Sequence, residues 1–138
     1  MGMTEIQSIG SLDVSTVTGG PVVRVPVGAT VADAARALVT HDVGMVVLGD
    51  GDVPSAVLSE RDIVRVVAAG RDPADVAAAE VASTKLVWAS ADDTIDEVAE
   101  RMMEHYIRHM LVERDGALVG VVSARDLLGI YTAGAAGE

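Results

Sequence analysis

Two short stretches carry the residue types best suited to ligand chemistry. They are Ser59-Glu60-Arg61-Asp62 and Ser123-Ala124-Arg125-Asp126, 64 positions apart. Each follows an apolar run and leads into another, so each marks a strand passing into a helix. A helix start offers free amides and a partial positive charge, which suit a phosphate. A carboxylate one turn in can accept two hydrogen bonds from a ribose diol. The same residues also make a plain cap, with serine at the N-cap and aspartate at N3 favoured by the helix dipole. Capping and binding are compatible, so the local sequence does not separate them.

The surroundings repeat as well. Shifting residues 25–62 by 64 places aligns Thr30, Ala35, His41, Val57, Ser59, Arg61 and Asp62 with Thr94, Ala99, His105, Val121, Ser123, Arg125 and Asp126. Thr94-Ile-Asp-Glu97 predicts a capping box, and Thr30-Val-Ala-Asp33 a shorter-armed version of it. Val31, Ala34, Ala35, Leu38 and Val39 follow helical spacing, as do Ile95, Val98, Ala99, Met102 and Met103. A strand is expected near 45–48 and near 109–113. The turns "GDGD" (49–52) and "RDG" (114–116) come next, and then a strand running into each serine junction. The following helices are placed near 60–69 and 124–130, with Gly70 suited to ending the first. The β-prone segments "PVVRV" (21–25) and "KLVWA" (85–89) precede the two helical caps. Each unit therefore reads β-α-β-β-α. Asp72-Pro73 breaks the connector, and an Ala-rich turn or short helix follows. Units this small bury little alone, which predicts an α+β fold with the two repeats packed through their sheets by pseudo-twofold symmetry.

Composition narrows the function. Formal net charge is −11, which argues against a broad nucleic-acid surface and against anionic membranes. No apolar run reaches the length of a membrane span, and no basic start leads into a secretory leader. The sequence has no cysteine, so disulfides, thiolate nucleophiles and cysteine-based zinc sites are excluded. That composition fits a cytoplasmic protein. His105 and His109 have i, i+4 spacing, but one should end a helix and the other begin a strand, so no metal site is expected. Asp92-Asp93 and Asp96-Glu97 read as a solvated first helical turn. Met102 and Met103 read as core or interface residues, and Trp88 as core ahead of stacking on a base. "GGP" at 19–21 lacks the rest of a phosphate-binding loop and reads as a turn. No Ser-His-Asp arrangement is recognisable from spacing.

Gly120-Val-Val-Ser123-Ala-Arg-Asp126 resembles the hallmark Gly-h-h-Ser/Thr-x-x-Asp of cystathionine-β-synthase-type repeats, the CBS domains. Ala56-Val-Leu-Ser59-Glu-Arg-Asp62 resembles it with alanine for the glycine, and the stretch 107–128 follows the family apart from Leu111. The resemblance covers 15–131. It divides the chain into repeat 1 (15–69), a connector (70–78) and repeat 2 (79–131), with terminal segments 1–14 and 132–138.

The resemblance implies a stand-alone tandem pair, a Bateman module. Such a module binds adenosine-containing ligands such as AMP, ADP, ATP or S-adenosylmethionine and requires no cofactor. It implies one site of Val121, Ser123 and Asp126 with Thr18, Pro21, Val23, Val43 and Gly44. A second site would join Val57, Ser59 and Asp62 to Lys85, Val87, Ile107 and Arg108, with His109 beside them. Lys85 and Arg108-His109 are matched in the other repeat by Pro21 and Gly44-Met45, so a polyphosphate should favour the Ser59–Asp62 site. Ala56 should place a methyl group near that ligand. The resemblance further implies a homodimer and a non-enzymatic sensor acting on a protein partner. The rival reading is an interaction scaffold with vestigial pockets, acting through dimerisation or docking.

Overall fold

The computed structural model describes residues 9–18 and 22–136. Strands β1 (Arg24–Val25), β2 (Met45–Leu48) and β3 (Ala56–Ser59) form one sheet. Strands β4 (Trp88–Ser90), β5 (His109–Arg114) and β6 (Ala117–Ser123) form another. In each, the first strand is parallel to the second and the third antiparallel to it. A parallel pair needs a long crossover, and helix α1 (Val31–His41) or α4 (Ile95–His105) supplies it. After each hairpin comes α2 (Glu60–Ala68) or α5 (Ala124–Ala136), and α3 (Ala78–Val81) lies in the connector. The β-α-β-β-α order is therefore present twice.

The chain forms two compact units, and they exchange their leading segments. Among the described residues, the β4–β6 unit comprises 9–18 and 87–136, whereas the β1–β3 unit comprises 22–86. Val14, fully buried, sits in the β4–β6 core with Ala89, Ile95, Val98, Met110 and Val122, and Ile9, Leu12 and Val17 pack against it. Val76 and Ala78 enter the β1–β3 core beside Val31, Leu38, Val46 and Leu58. Matching bridges fix the exchange: Asp13 pairs with Thr94, and Ala77, its counterpart 64 positions on, pairs with Thr30. The Val14 N–H donates to the Asp93 carbonyl at 2.7 Å, and Val31 donates to Val76 at 2.8 Å. Each crossover helix is thus pinned at its N-cap by a segment from ahead of the other repeat's sheet.

The caps differ from expectation in detail. Thr30 makes the complete box, its N–H donating to Asp33 at 2.9 Å and its hydroxyl accepting the Asp33 amide at 3.1 Å. At Thr94 the hydroxyl accepts the Glu97 amide and itself donates to the Glu97 carboxylate. The shorter aspartate therefore closes on the backbone, and the longer glutamate on the side chain. The Thr30 N–H, then the Thr30 hydroxyl, then Arg36 hold the Asp33 carboxyl below its ordinary 3.8. A depressed folded value means the contribution is complete above the unfolded value and is lost as pH falls through the folded one. Asp33→Asn should therefore lower the unfolding midpoint at neutral pH, and the difference should vanish in strong acid. A thermal-melt series against pH measures this.

Asp115 and Gly116 both take positive φ between β5 and β6, the type I′ geometry of a two-residue hairpin. Gly70 also has positive φ, as its place after α2 anticipates. Asp92 and Asp93 lie before α4 rather than in its first turn. Asp93 there accepts the Ser90 amide at 2.8 Å and faces Arg101 at 3.3 Å. Two residues assigned to buried stripes are instead exposed: Val39 is 82% and Met103 77% accessible. Tyr131 donates to Asp96 and ties α5 to α4. Burial first, and that bond second, push its hydroxyl up to about 12.

Candidate functional site

Strand β3 ends on Ser59 in extended conformation, and α2 begins at once. The Ser59 N–H donates to Asp62 Oδ2 at 2.8 Å, and its hydroxyl donates to the same oxygen at 3.2 Å. In the second copy the Ser123 N–H donates to Asp126 Oδ2 at 2.9 Å, while the Ser123 hydroxyl accepts the Asp126 amide at 3.0 Å. Capping therefore uses one carboxylate oxygen in each copy. The other oxygen remains to meet a second partner; Arg65 lies 3.7 Å from it in Asp62. Asp62 is mostly buried, with 15% of its side chain accessible, so a hydrogen bond there is poorly screened by water.

The residue before each central strand reaches the same junction. The Gly44 carbonyl accepts the Glu60 amide at 3.1 Å, and the Arg108 carbonyl accepts the Ala124 amide at 2.8 Å. These bonds occupy the first free amide of each helix and hold residues 44 and 108 beside the serine. Register adds His109 opposite Ser123.

The exchanged segments come to the strands that carry Val57 and Val121. Val57 and Ser83 donate to each other's carbonyls at 3.0 and 2.8 Å. The Ser83 hydroxyl then accepts the Lys85 amide at 3.3 Å, which places Lys85 next to β3 with its side chain exposed. In the other unit Thr18 lies against Gly120: a Cβ built on that glycine would stand 2.9 Å from Thr18 Cβ. The glycine of the motif is therefore the place where the lead-in segment touches β6, a known use of glycine within a strand. Its counterpart Ala56 turns its methyl into the β1–β3 core, so the methyl expected near a ligand is a packing group.

The β1–β3 unit thus gathers Gly44, Val57, Ser59, Asp62 and Lys85. It also holds Val43 at the end of the α1 turn, and Val23, whose carbonyl accepts the Val47 amide at 2.9 Å. The β4–β6 unit gathers Thr18, Arg108, His109, Val121, Ser123 and Asp126. Ile107 in the same unit donates to Met102, and the Val87 carbonyl accepts from Leu111. Pro21 lies outside the described residues, as does the rest of "GGP". Sequence reasoning missed Ser83, which has no counterpart in the aligned repeat and no periodic signal. Among the described residues, no group of three or more histidines or carboxylates is placed to hold a metal ion. Nor is any described helix long and apolar enough to cross a membrane.

A doubled strand–Ser-x-x-Asp–helix junction, each copy lined by an exchanged lead-in segment, is the architecture of a tandem repeat. The CBS-domain profile matches residues 13–69 and 78–132, and the chain belongs to that family. Among solved structures it is similar to a CBS domain protein from Pyrobaculum aerophilum, PAE2072, complexed with AMP. That likeness has 36% identity and a TM-score of 0.77, and covers 88% of this chain and 99% of that one. It is also similar to the CBS-domain protein ATU1752 from Agrobacterium tumefaciens, at 27% identity and TM-score 0.80, covering 91% and 98%. A hexameric CBS-CP12 protein from bloom-forming cyanobacteria shares 26% identity at TM-score 0.77, covering 85% of this chain and 69% of that one. No curated protein matches the sequence.

Proposed function

We propose that the chain is a non-enzymatic regulatory module that binds adenosine-containing ligands at its two Ser-x-x-Asp junctions. The observation that carries this reading is the junction itself, where a partly buried carboxylate, a hydroxyl and a helix start stand together beside a lead-in segment in both copies. The AMP-bound relative supports the ligand class. In the β4–β6 unit Val121, Ser123 and Asp126 act with Thr18. In the β1–β3 unit Val57, Ser59 and Asp62 act with Lys85. Aspartate takes the ribose, the serine end of the helix takes phosphate, and valines flank the base. The protein works in the cytoplasm as a homodimer and passes the bound state to a protein partner, because a ligand biases only states that it binds unequally.

One observation favours the scaffold reading: both aspartates already have a structural task in the cap. Titration calorimetry of ligand-stripped protein against AMP, ADP, ATP and S-adenosylmethionine separates the two. Saturable binding is expected. Asp62→Ala should weaken it about 10- to 100-fold, the worth of a hydrogen bond to a charged group. The lost cap should cost only about 1 kcal/mol of stability. Absence of heat from every ligand, with a folded chain, would leave the scaffold as the function.

A further inference from the structure

The two Ser-x-x-Asp junctions differ one turn into the helix. Position 65 is an arginine, and its counterpart 64 places on is Gly129. Residues three apart share a helix face. Arg65 therefore stands beside Asp62, with its guanidinium 3.7 Å from the carboxylate, whereas Gly129 offers no side chain to Asp126.

The cap decides which oxygen Arg65 meets. The Ser59 N–H and the Ser59 hydroxyl both donate to Asp62 Oδ2, at 2.8 and 3.2 Å. Oδ1 is the oxygen left for a ligand, and it is the one that the guanidinium approaches. The arginine side chain is 71% accessible and the aspartate 15%. The cation thus keeps most of its water while it draws on a carboxylate that has little. A hydroxyl arriving at Oδ1 must displace the guanidinium or share the oxygen with it. In the other copy the Ser123 amide likewise takes Asp126 Oδ2, at 2.9 Å, and no side chain at position 129 contests the second oxygen.

We infer that Arg65 is a built-in competitor for the ribose contact of Asp62, a restraint present at one junction and absent from the other. This rests on the proposed function and names a residue that sets the affinity of one of its sites. Adenosine isolates the effect. It carries the ribose diol without a phosphate, so it offers the displaced arginine no new partner.

Nitrogen-15 NMR titration of the full chain with adenosine, followed at the Asp62 and Asp126 amides, reads each junction separately. Arg65→Ala should lower the dissociation constant at Asp62 about two- to fivefold, the span of an exposed ion pair, and leave that at Asp126 unchanged. Arg65→Lys keeps the charge and should stay near the wild type. Gly129→Arg is the converse change. A Cβ on Gly129 meets nothing within 4 Å, so the side chain fits, and it should raise the constant at Asp126 by a similar factor. Positions 65 and 129 are both exposed, so the fold is undisturbed. Weaker adenosine binding in Arg65→Ala would make the arginine a ligand contact and overturns the inference. An unchanged constant overturns it too, as does a Gly129→Arg chain that binds as before. If neither amide responds to adenosine or AMP in any of these chains, the binding reading itself falls, and the inference with it.

Discussion

Val14→Asp should remove about 4 kcal/mol of stability and strip amide protection first from residues 87–131, not from its own sequence neighbours. Val14 is fully buried among β4–β6 side chains, with only apolar groups from Ile95, Met110 and Val122 in its cluster. An aspartate there is either charged without a partner or neutral without hydrogen bonds, and either state costs several kcal/mol. The β1–β3 core contains none of the described residues before 20, so β2 and β3 should keep their protection longest. Hydrogen exchange followed by fragment mass analysis reads this directly. Loss beginning in 24–69 would mean that the leading segment packs on its own repeat and that the exchange is wrong.

Gly120→Val should destabilise the chain by about 2 kcal/mol, against the sign that strand propensity alone predicts. Valine suits a β-strand better than glycine by up to ~1 kcal/mol. At this position a Cβ would stand 2.9 Å from Thr18 Cβ, closer than real Cβ contacts come, and 3.1 Å from its methyl, which is tighter than most. Overpacking of that kind costs about 1–3 kcal/mol and more with each added carbon, so the clash outweighs propensity. Thr18→Gly in the same chain should recover most of the loss, because it removes the atoms that collide. Urea titration of the two single variants and the double gives the coupling. Additive effects would show that Thr18 and Gly120 do not touch.

The repeat, the helical caps and the two hairpins could be read from the residues because each has a local cause. Thr30 with Asp33, Asp115 with Gly116, and Ser123 with Asp126 all act within a few residues of one another. The exchange of segments was not legible in the residues themselves; only the family resemblance set Thr18 with Val121 and Lys85 with Val57. Val14 and Val76 are single apolar residues in short stretches, and nothing in such a stretch names the core that receives it. Val39 was misplaced for a related reason. It lies a further 100° round the helix from Leu38, at the edge of the stripe, where periodicity does not say which side is covered. The serine and aspartate of each junction were found by type and spacing. Ser83, which brings Lys85 to β3, was not, because its part depends on a pairing between strands rather than on a pattern along the chain.

The exchange also sets the order in which the polypeptide can mature as it leaves the ribosome. Residues 9–17 are made well before the groups that bury them, which run from Ala89 to Leu127. The β1–β3 core needs nothing beyond Ala82, so it can close while the remainder is still being synthesised. The leading segment must stay unburied until that part of the chain has been made. Its bond from Val14 to Asp93 closes a long loop, and contacts of that span are made slowly and late. The β1–β3 half thus folds before the β4–β6 half, and residues 9–17 wait for the later one to find their place.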